Sequence, residues 1–347
     1  MNFDGGVQTE PAYPFDPEMA YKDYIIRLEP VDQGHYDKGH ISYLGVRMDI
    51  KSVFAALGQE EIDKLNFLGD PVNIVNGNFY WEYTDLTLNG KDDLSFTRSY
   101  NSRSSREGVM GYGWSHNWQY SLDNNDTYSL LHLPDGGTAH FNALPEGGYA
   151  WHKNDRYKIE ETLTGYTVTS RDNTEYDFDP DGKLTTISDL FGEKYRLAYN
   201  GDKLHTVTGA AGVLTMIYDG DRIKRVTDSA GREIIYDYDI NGDLVLFTNP
   251  DEDTLIYQYT DHLLEAITDF RGNVYLSNEY DKLGIVKSQT TADRGTMRYS
   301  YDYENRINTF TGTNGRITKY YYNHQQQLTK IEDVNTDCGV PLKPKIV

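Results

Sequence analysis

The stretch EIIYDYDINGDLVLFTN, residues 233 to 249, carries D-x-D-x-N-G at Asp237, Asp239, Asn241 and Gly242. Oxygen-bearing side chains at alternate positions before a glycine are how a calcium loop begins. Such a loop also needs a bidentate Glu at its twelfth position and a helix on each side. The twelfth residue from Asp237 is Thr248, and from Asp177 in the similar string DFDPDG it is Ser188. Neither closes a calcium site, and both flanks alternate like strands. The better reading is a hairpin turn whose Asp and Asn side chains accept from nearby backbone N–H groups. A nine-residue calcium β-roll is excluded by the spacing of these strings, which is about twenty residues.

The other residues with chemical potential are scattered. Nine histidines are present, none at H-x3-H or H-E-x-x-H spacing. His132 and His140 flank the turn former PDGG, so a hairpin could set them on facing strands, but no third ligand is in phase. Ser115 and His116 are adjacent, whereas a nucleophilic Ser needs its base across space. There is no G-x-S-x-G elbow and no phosphate-binding Gly-rich loop. The single cysteine, Cys338, excludes an internal disulfide framework and a Cys-based zinc site. The expectation is therefore no catalytic residue, no metal and no cofactor.

What must position these residues is a chain of 347 amino acids with 33 Lys plus Arg against 54 Asp plus Glu. The formal charge of −21 argues against nucleic acid or an anionic membrane as partner. Residues 1 to 24 have neither a basic n-region nor an apolar h-region, and the run VFAAL at Val53 is far too short to span a bilayer. Export by a route that needs no N-terminal signal in this chain, to the outside or the cell surface, is the expectation. Thirty Tyr and 31 Gly point to many short strands and tight turns.

Those strands repeat. Tyr238 has sequence equivalents at Tyr199, Tyr218, Tyr259, Tyr280, Tyr303 and Tyr322, with Phe178 in the same place one unit earlier. A Leu or Ile follows each (Leu204, Ile223, Leu244, Leu264, Leu283, Ile307, Leu328). Three residues beyond most of these is a second apolar residue: Val207, Val226, Phe247, Ile267, Phe310 and Ile331. A twenty-residue unit holds two strands of about five to six residues and two turns. Each unit reads as a β-hairpin, and hairpins need neighbours to be stable in water. The Leu-to-Val step of three is odd for a strand, whose side chains alternate between faces. Either the Leu packs from the turn or both faces of the wall are partly covered.

The Tyr-Asp pairs, the following turn and the period resemble the YD-repeat, or rearrangement-hotspot (Rhs), family. GDPVNIVNGNFYWEYTDLTL from Gly69, LSFTRSYNSRSS from Leu94 and GYGWSHNWQYSL from Gly111 resemble the segment that opens its repeat core. The resemblance spans about residues 69 to 335 and implies an all-β fold. Tandem β-hairpin repeats would form a curved, spiralling antiparallel sheet, part of a shell. It divides the chain into a small α+β lead-in (1–68), an opening β segment (69–170), the repeat sheet (171–335) and an irregular tail (336–347). In bacterial polymorphic toxins such shells enclose a C-terminal toxin, so further repeats or a toxin are the implied partners. Three features depart from the family pattern. The repeats number about eight, fewer than expected to enclose a toxin. No complete P-x4-D-P-x-G-L motif is present, DPDGKL at Asp179 being one more turn, and no toxin domain follows the repeats. The function expected is a non-catalytic shell segment, a partial copy without its toxin.

Within the lead-in, HISYLGVRMDI alternates like strands, and Gln59 to Asn66 reads as a helical turn or two. The rival function is a cell-wall carbohydrate-binding module, in which exposed aromatic rings stack on sugars. Against it, all four Trp (Trp81, Trp114, Trp118, Trp151) lie outside the regular repeats, and only KYYYN at 319–323 looks similar. Buried repeat tyrosines would favour the shell. The last hairpin, near Tyr322, is expected to expose an edge prone to self-association or to pairing with further repeats.

Overall fold

The computed structural model describes residues 40–43, 46–49, 67–68, 72–104, 106–125, 127–144, 147–151, 157–323, 328–334 and 345–346. Among them every regular element is a β-strand. His40–Tyr43 pairs with Val46–Asp49, as the alternation in that stretch predicts. The helical expectation at Gln59 to Asn66 and the Cys338 position lie outside the described residues.

One continuous sheet of 19 strands runs from Tyr157–Thr162 to Lys345–Ile346, with strands in chain order and every pairing antiparallel. Chain order without crossovers is what tandem hairpins must give. The sheet takes in Tyr157–Thr162 and Gly165–Ser170, which the sequence reading placed with the opening segment. The tail is not wholly irregular, because Lys345–Ile346 pairs with Lys330 and Ile331. The last hairpin pairs Tyr322 with Leu328, and its second strand, Leu328–Asp333, is covered in part by the outermost strand Lys345–Ile346.

The odd step of three is explained by a β-bulge. Tyr238 faces Leu244 and Asp237 faces Leu246, so Val245 is left over. Two residues opposing one restores parity, and Leu244 and Phe247 both turn inward, each fully buried. The same shift recurs beside Phe178, Tyr199, Tyr218, Tyr259, Tyr280 and Tyr322. Two assignments are corrected by the register. Val286, not Leu283, faces Tyr280, and Leu283 sits in the turn. The rib residue of the following unit is Tyr301 rather than Tyr303, midway between Tyr280 and Tyr322 at steps of 21. That unit has no bulge: Tyr301 faces Asn308, whose side chain lies inside and donates to the carbonyls of Ile74 (2.7 Å) and Val75 (2.9 Å).

The repeat tyrosines are ribs and not a displayed row. Tyr199, Tyr238, Tyr259 and Tyr280 donate to the carbonyls of Leu184, Ile223, Leu244 and Leu264, the bulge-side residues one unit earlier. Burial pushes the Tyr199 and Tyr238 hydroxyls above their ordinary range, so they remain donors at any physiological pH. Each bond ties one hairpin to the previous one. Tyr238→Phe is expected to cost about 1 kcal/mol, the net worth of one such bond, read by urea denaturation.

The turns confirm the Asx reading. Asp239 accepts from the N–H of Asn241 and of Asp243, both at 2.9 Å. Burial alone would raise this carboxyl, but those donors outweigh it and hold it below its ordinary value. Asp179, Asp228, Asp269 and Asp281 make the same two bonds. The fourth residue of each turn is a Gly at positive φ, as at Gly242 (88°). In the equivalent Asn249 turn that residue is Glu252 at φ 67°. A side chain there is strained, so Glu252→Gly is expected to stabilise the chain by about 1 kcal/mol, read as a higher denaturation midpoint at unchanged slope.

Candidate functional site

The concave face of the sheet is filled by the opening segment. Tyr80–Leu88 and Leu94–Asn101 form a hairpin, with Trp114–His116 against its second strand. At one end Tyr120 meets Tyr176, ring centroids 4.9 Å apart, and at the other Asn308 reaches the carbonyl of Ile74. A flat sheet would hold Tyr176 and Asn308 roughly 60 Å apart at ordinary strand spacing. The sheet therefore curls round the segment, and one hydrophobic cluster runs through both.

At the centre of that contact is a buried charge. Arg98 is fully buried, and its Nε donates to Asp85 Oδ2 at 2.7 Å. Tyr236, from the sheet, donates to the same oxygen at 2.5 Å. The guanidinium lies over five rings: Phe247 (4.5 Å), Trp114 (4.9 Å), Tyr257 (5.1 Å), Tyr83 (5.6 Å) and Tyr236 (5.9 Å). Three belong to the sheet and two to the opening segment. Burial drives the Asp85 carboxyl upward, while Arg98 and then Tyr236 pull it back. A desolvated cation over aromatic faces gains roughly 2 kcal/mol or more, which offsets part of the cost of burying it.

A second contact lies on the rim. The short hairpin Glu107–Gly108 and Gly111–Tyr112 rests on the turns that follow Tyr218, Tyr238 and Tyr259. Arg222 pairs with Glu107, Ile223 N–H donates to the carbonyl of Val109 at 2.8 Å, and His262 stacks on Tyr112 at 3.8 Å. His262 Nδ1 also bonds Asp243 at 2.9 Å.

The residues singled out for chemistry are not assembled into a site. Asp237 pairs with Lys224, and Asp239 and Asn241 are held in their own turn. His132 and His140 lie on paired strands, His132 opposite Thr138 and His140 opposite Leu130. His132 Nε2 bonds Asp123 at 2.7 Å, whereas His140 lies against the Tyr128 ring. Ser115 donates to the carbonyl of Pro134. His116 is buried, stacks on Phe96 at 5.1 Å and accepts from the Trp118 N–H at 3.3 Å through Nδ1. Burial lowers its pKa to about 3, so the ring is neutral and structural. Among the described residues no group of three His, Cys, Asp or Glu is placed to hold a metal ion. No helix among them is long and apolar enough to cross a membrane. Sequence reasoning missed Arg98 and Asp85. The available signal was Arg98 standing in phase with Leu94, Phe96 and Tyr100 in the alternation of LSFTRSY, which puts it on the apolar face of its strand.

Residues 69–141 match the family model described as a domain of unknown function, DUF6531. The tRNA nuclease WapA of Bacillus subtilis is 25% identical over 303 residues, covering 80% of this chain and 12% of WapA. The probable deoxyribonuclease RhsA of Dickeya dadantii is 25% identical over 230 residues, covering 56% of this chain and 16% of RhsA. The chain is similar to Rhs-type proteins over most of its length. Its match to the curated Rhs-type relatives thus spans well under a fifth of their length. Of solved structures, the Photorhabdus luminescens Tc holotoxin pore is similar at 13% identity and a TM-score of 0.36, covering 83% of this chain and 16% of that one. In this chain the opening segment packs against the repeats and shares one hydrophobic cluster with them. It supplies the inner packing that the first repeats fold around, with Arg98 at the middle of the contact.

Proposed function

We propose that this chain is a non-catalytic wall of an Rhs-type shell, which contains and delivers a toxin in competition between bacteria. One observation carries this reading. The repeat tyrosines and the concave face are spent on holding hairpins together and on gripping the opening segment, and no reactive constellation is left among the described residues. Nuclease activity is named for WapA and RhsA, whose greater length lies outside the match. We assign containment to this chain and cleavage to a cargo. Its partners are further YD repeats or a toxin domain, meeting the sheet at the end formed by Leu328–Asp333 and the short strand Lys345–Ile346, and its site of action is outside the producing cell. Half-buried ribs whose hydroxyls are spent on the preceding unit's carbonyls speak against the carbohydrate-binding alternative, which needs a row of exposed rings.

Two measurements test this. The purified chain, given tRNA or duplex DNA with magnesium, is expected to leave both intact, and cleavage would overturn the non-catalytic reading. Purified from its own host under native conditions, it is expected to bring with it a polypeptide of further YD repeats or a toxin, or to self-associate. A strictly monomeric, partnerless chain in sedimentation would overturn the shell assignment.

A further inference from the structure

The three sheet rings beneath Arg98 occur twice. Tyr236, Phe247 and Tyr257 are followed 63 residues later, one for one, by Tyr299, Phe310 and Tyr320. The register is the same in both places. Tyr236 faces Phe247, which faces Leu255 two residues before Tyr257; Tyr299 faces Phe310, which faces Thr318 two residues before Tyr320. The ring geometry is also close. Tyr236 and Phe247 have centroids 5.7 Å apart at 34°, and Tyr299 and Phe310 have theirs 5.5 Å apart at 49°. The corresponding rungs between the two carry no such triplet, Asn278 facing Gln289. Upstream the same rung holds Leu197 facing Val207 and Met216 facing Val226.

We propose that Tyr299, Phe310 and Tyr320 form a second arginine seat, which takes a guanidinium presented on a polypeptide strand as Leu94–Asn101 presents Arg98. Phe247 and Tyr257 are sealed, at 0% and 1% exposure; in the second triplet Tyr299 is buried, but Phe310 and Tyr320 are only half-buried and keep an accessible π surface. Its surroundings suit a polar, cationic visitor better than an aliphatic one. Leu255 and Leu244 of the first seat are replaced by Thr318 and Asn308, and Asp333 stands opposite Thr318, accepts from its hydroxyl at 2.8 Å and pairs through its other oxygen with Arg316. The chain's formal charge of −21 adds a long-range attraction for a basic segment. Arginine is favoured over lysine because a planar guanidinium stacks on a ring face and is more weakly hydrated.

The test uses the full chain and a synthetic peptide of residues 80–101, the hairpin that carries Arg98, alongside the same peptide with Arg98→Gln. Calorimetry is expected to show one peptide per chain, with binding roughly tenfold weaker for the Gln peptide. Phe310→Leu in the chain keeps volume but removes the π face and is expected to abolish binding with the circular dichroism unchanged. Tyr320→Leu, at a half-buried position, gives the same reading should Phe310→Leu unfold. Equal binding of the two peptides would reduce the seat to plain apolar contact and overturn the proposal. So would absence of binding, or binding lost on Phe247→Leu but kept on Phe310→Leu, which would mean displacement at the first seat.

Discussion

Asp85→Asn is expected to destabilise the chain by about 3–5 kcal/mol, the usual cost of leaving one partner of a buried ion pair unpaired. The loss should be the same across neutral and alkaline pH, because Arg98 cannot shed its proton and its only carboxylate is gone. Arg98→Met should cost less at neutral pH. Burial already pushes Asp85 upward, and without Arg98 the carboxyl can take a proton and become a neutral donor. That relief fades as pH rises, so the cost of Arg98→Met should grow with pH while that of Asp85→Asn does not. The double variant Arg98→Met with Asp85→Leu replaces the pair by apolar volume and should recover most of the loss. Urea denaturation of the four proteins between pH 6 and 9 checks this. A double variant no better than Asp85→Asn would show that the pair itself, rather than its half-removal, sets stability. The rings under Arg98 give the pair a positional role as well. The hairpin faces of the repeats are quasi-equivalent, and a purely apolar insert could slip by one unit, but the cage of Tyr236, Phe247 and Tyr257 around this guanidinium is not repeated one unit to either side.

The repeat wall was legible in the sequence because its determinants are local. A tyrosine, an Asx turn with a positive-φ glycine and a following Leu lie within ten residues, and each constrains the next. Where local pattern misled, the reason was register. Tyr301 and Tyr303 are two apart on one chain segment and equally good by type; only the pairing of Tyr301 with Asn308 identifies it as the rib. Leu283 matched the expected spacing but was taken up by the turn, and Val286 filled the wall. The bulge beside Val245 could be seen only as a puzzle of parity, since a surplus residue has no side-chain signature. The Arg98 seat was illegible for a different reason. Its members come from positions 83 to 257, and although the alternation of LSFTRSY puts Arg98 on the face of Leu94, Phe96 and Tyr100, nothing local says what would cover a charge there. Burial of a charge is a tertiary fact, decided by whether rings and a carboxylate from elsewhere arrive over it.

His116 should make the chain acid-labile well above the range in which carboxylates titrate. Its ring is buried against Phe96 with Nδ1 engaged by the Trp118 N–H, and burial holds its pKa at about 3 against an ordinary 6.5. The unfolded chain binds a proton at His116 as pH falls through 6.5, and the folded chain does not until about 3. In that window the unfolded state carries more protons, so stability falls with falling pH. At pH 5 the gap is about 1.5 pH units, or about 2 kcal/mol at 1.36 kcal/mol per unit. His116→Asn keeps an acceptor for the Trp118 N–H and has no proton to gain. It should lose a fixed amount of stability from the smaller side chain and be flatter than the parent between pH 7 and 5. Parallel slopes for the two proteins over that range would show that the imidazole is charged in the folded state. Because Trp114–His116 is the strand that backs Arg98, this protonation would strike the opening segment at the strand that holds it to the wall. Acid should therefore loosen the segment before the outer repeats, and hydrogen exchange at pH 5 should show residues 114–118 losing protection ahead of residues 244–268.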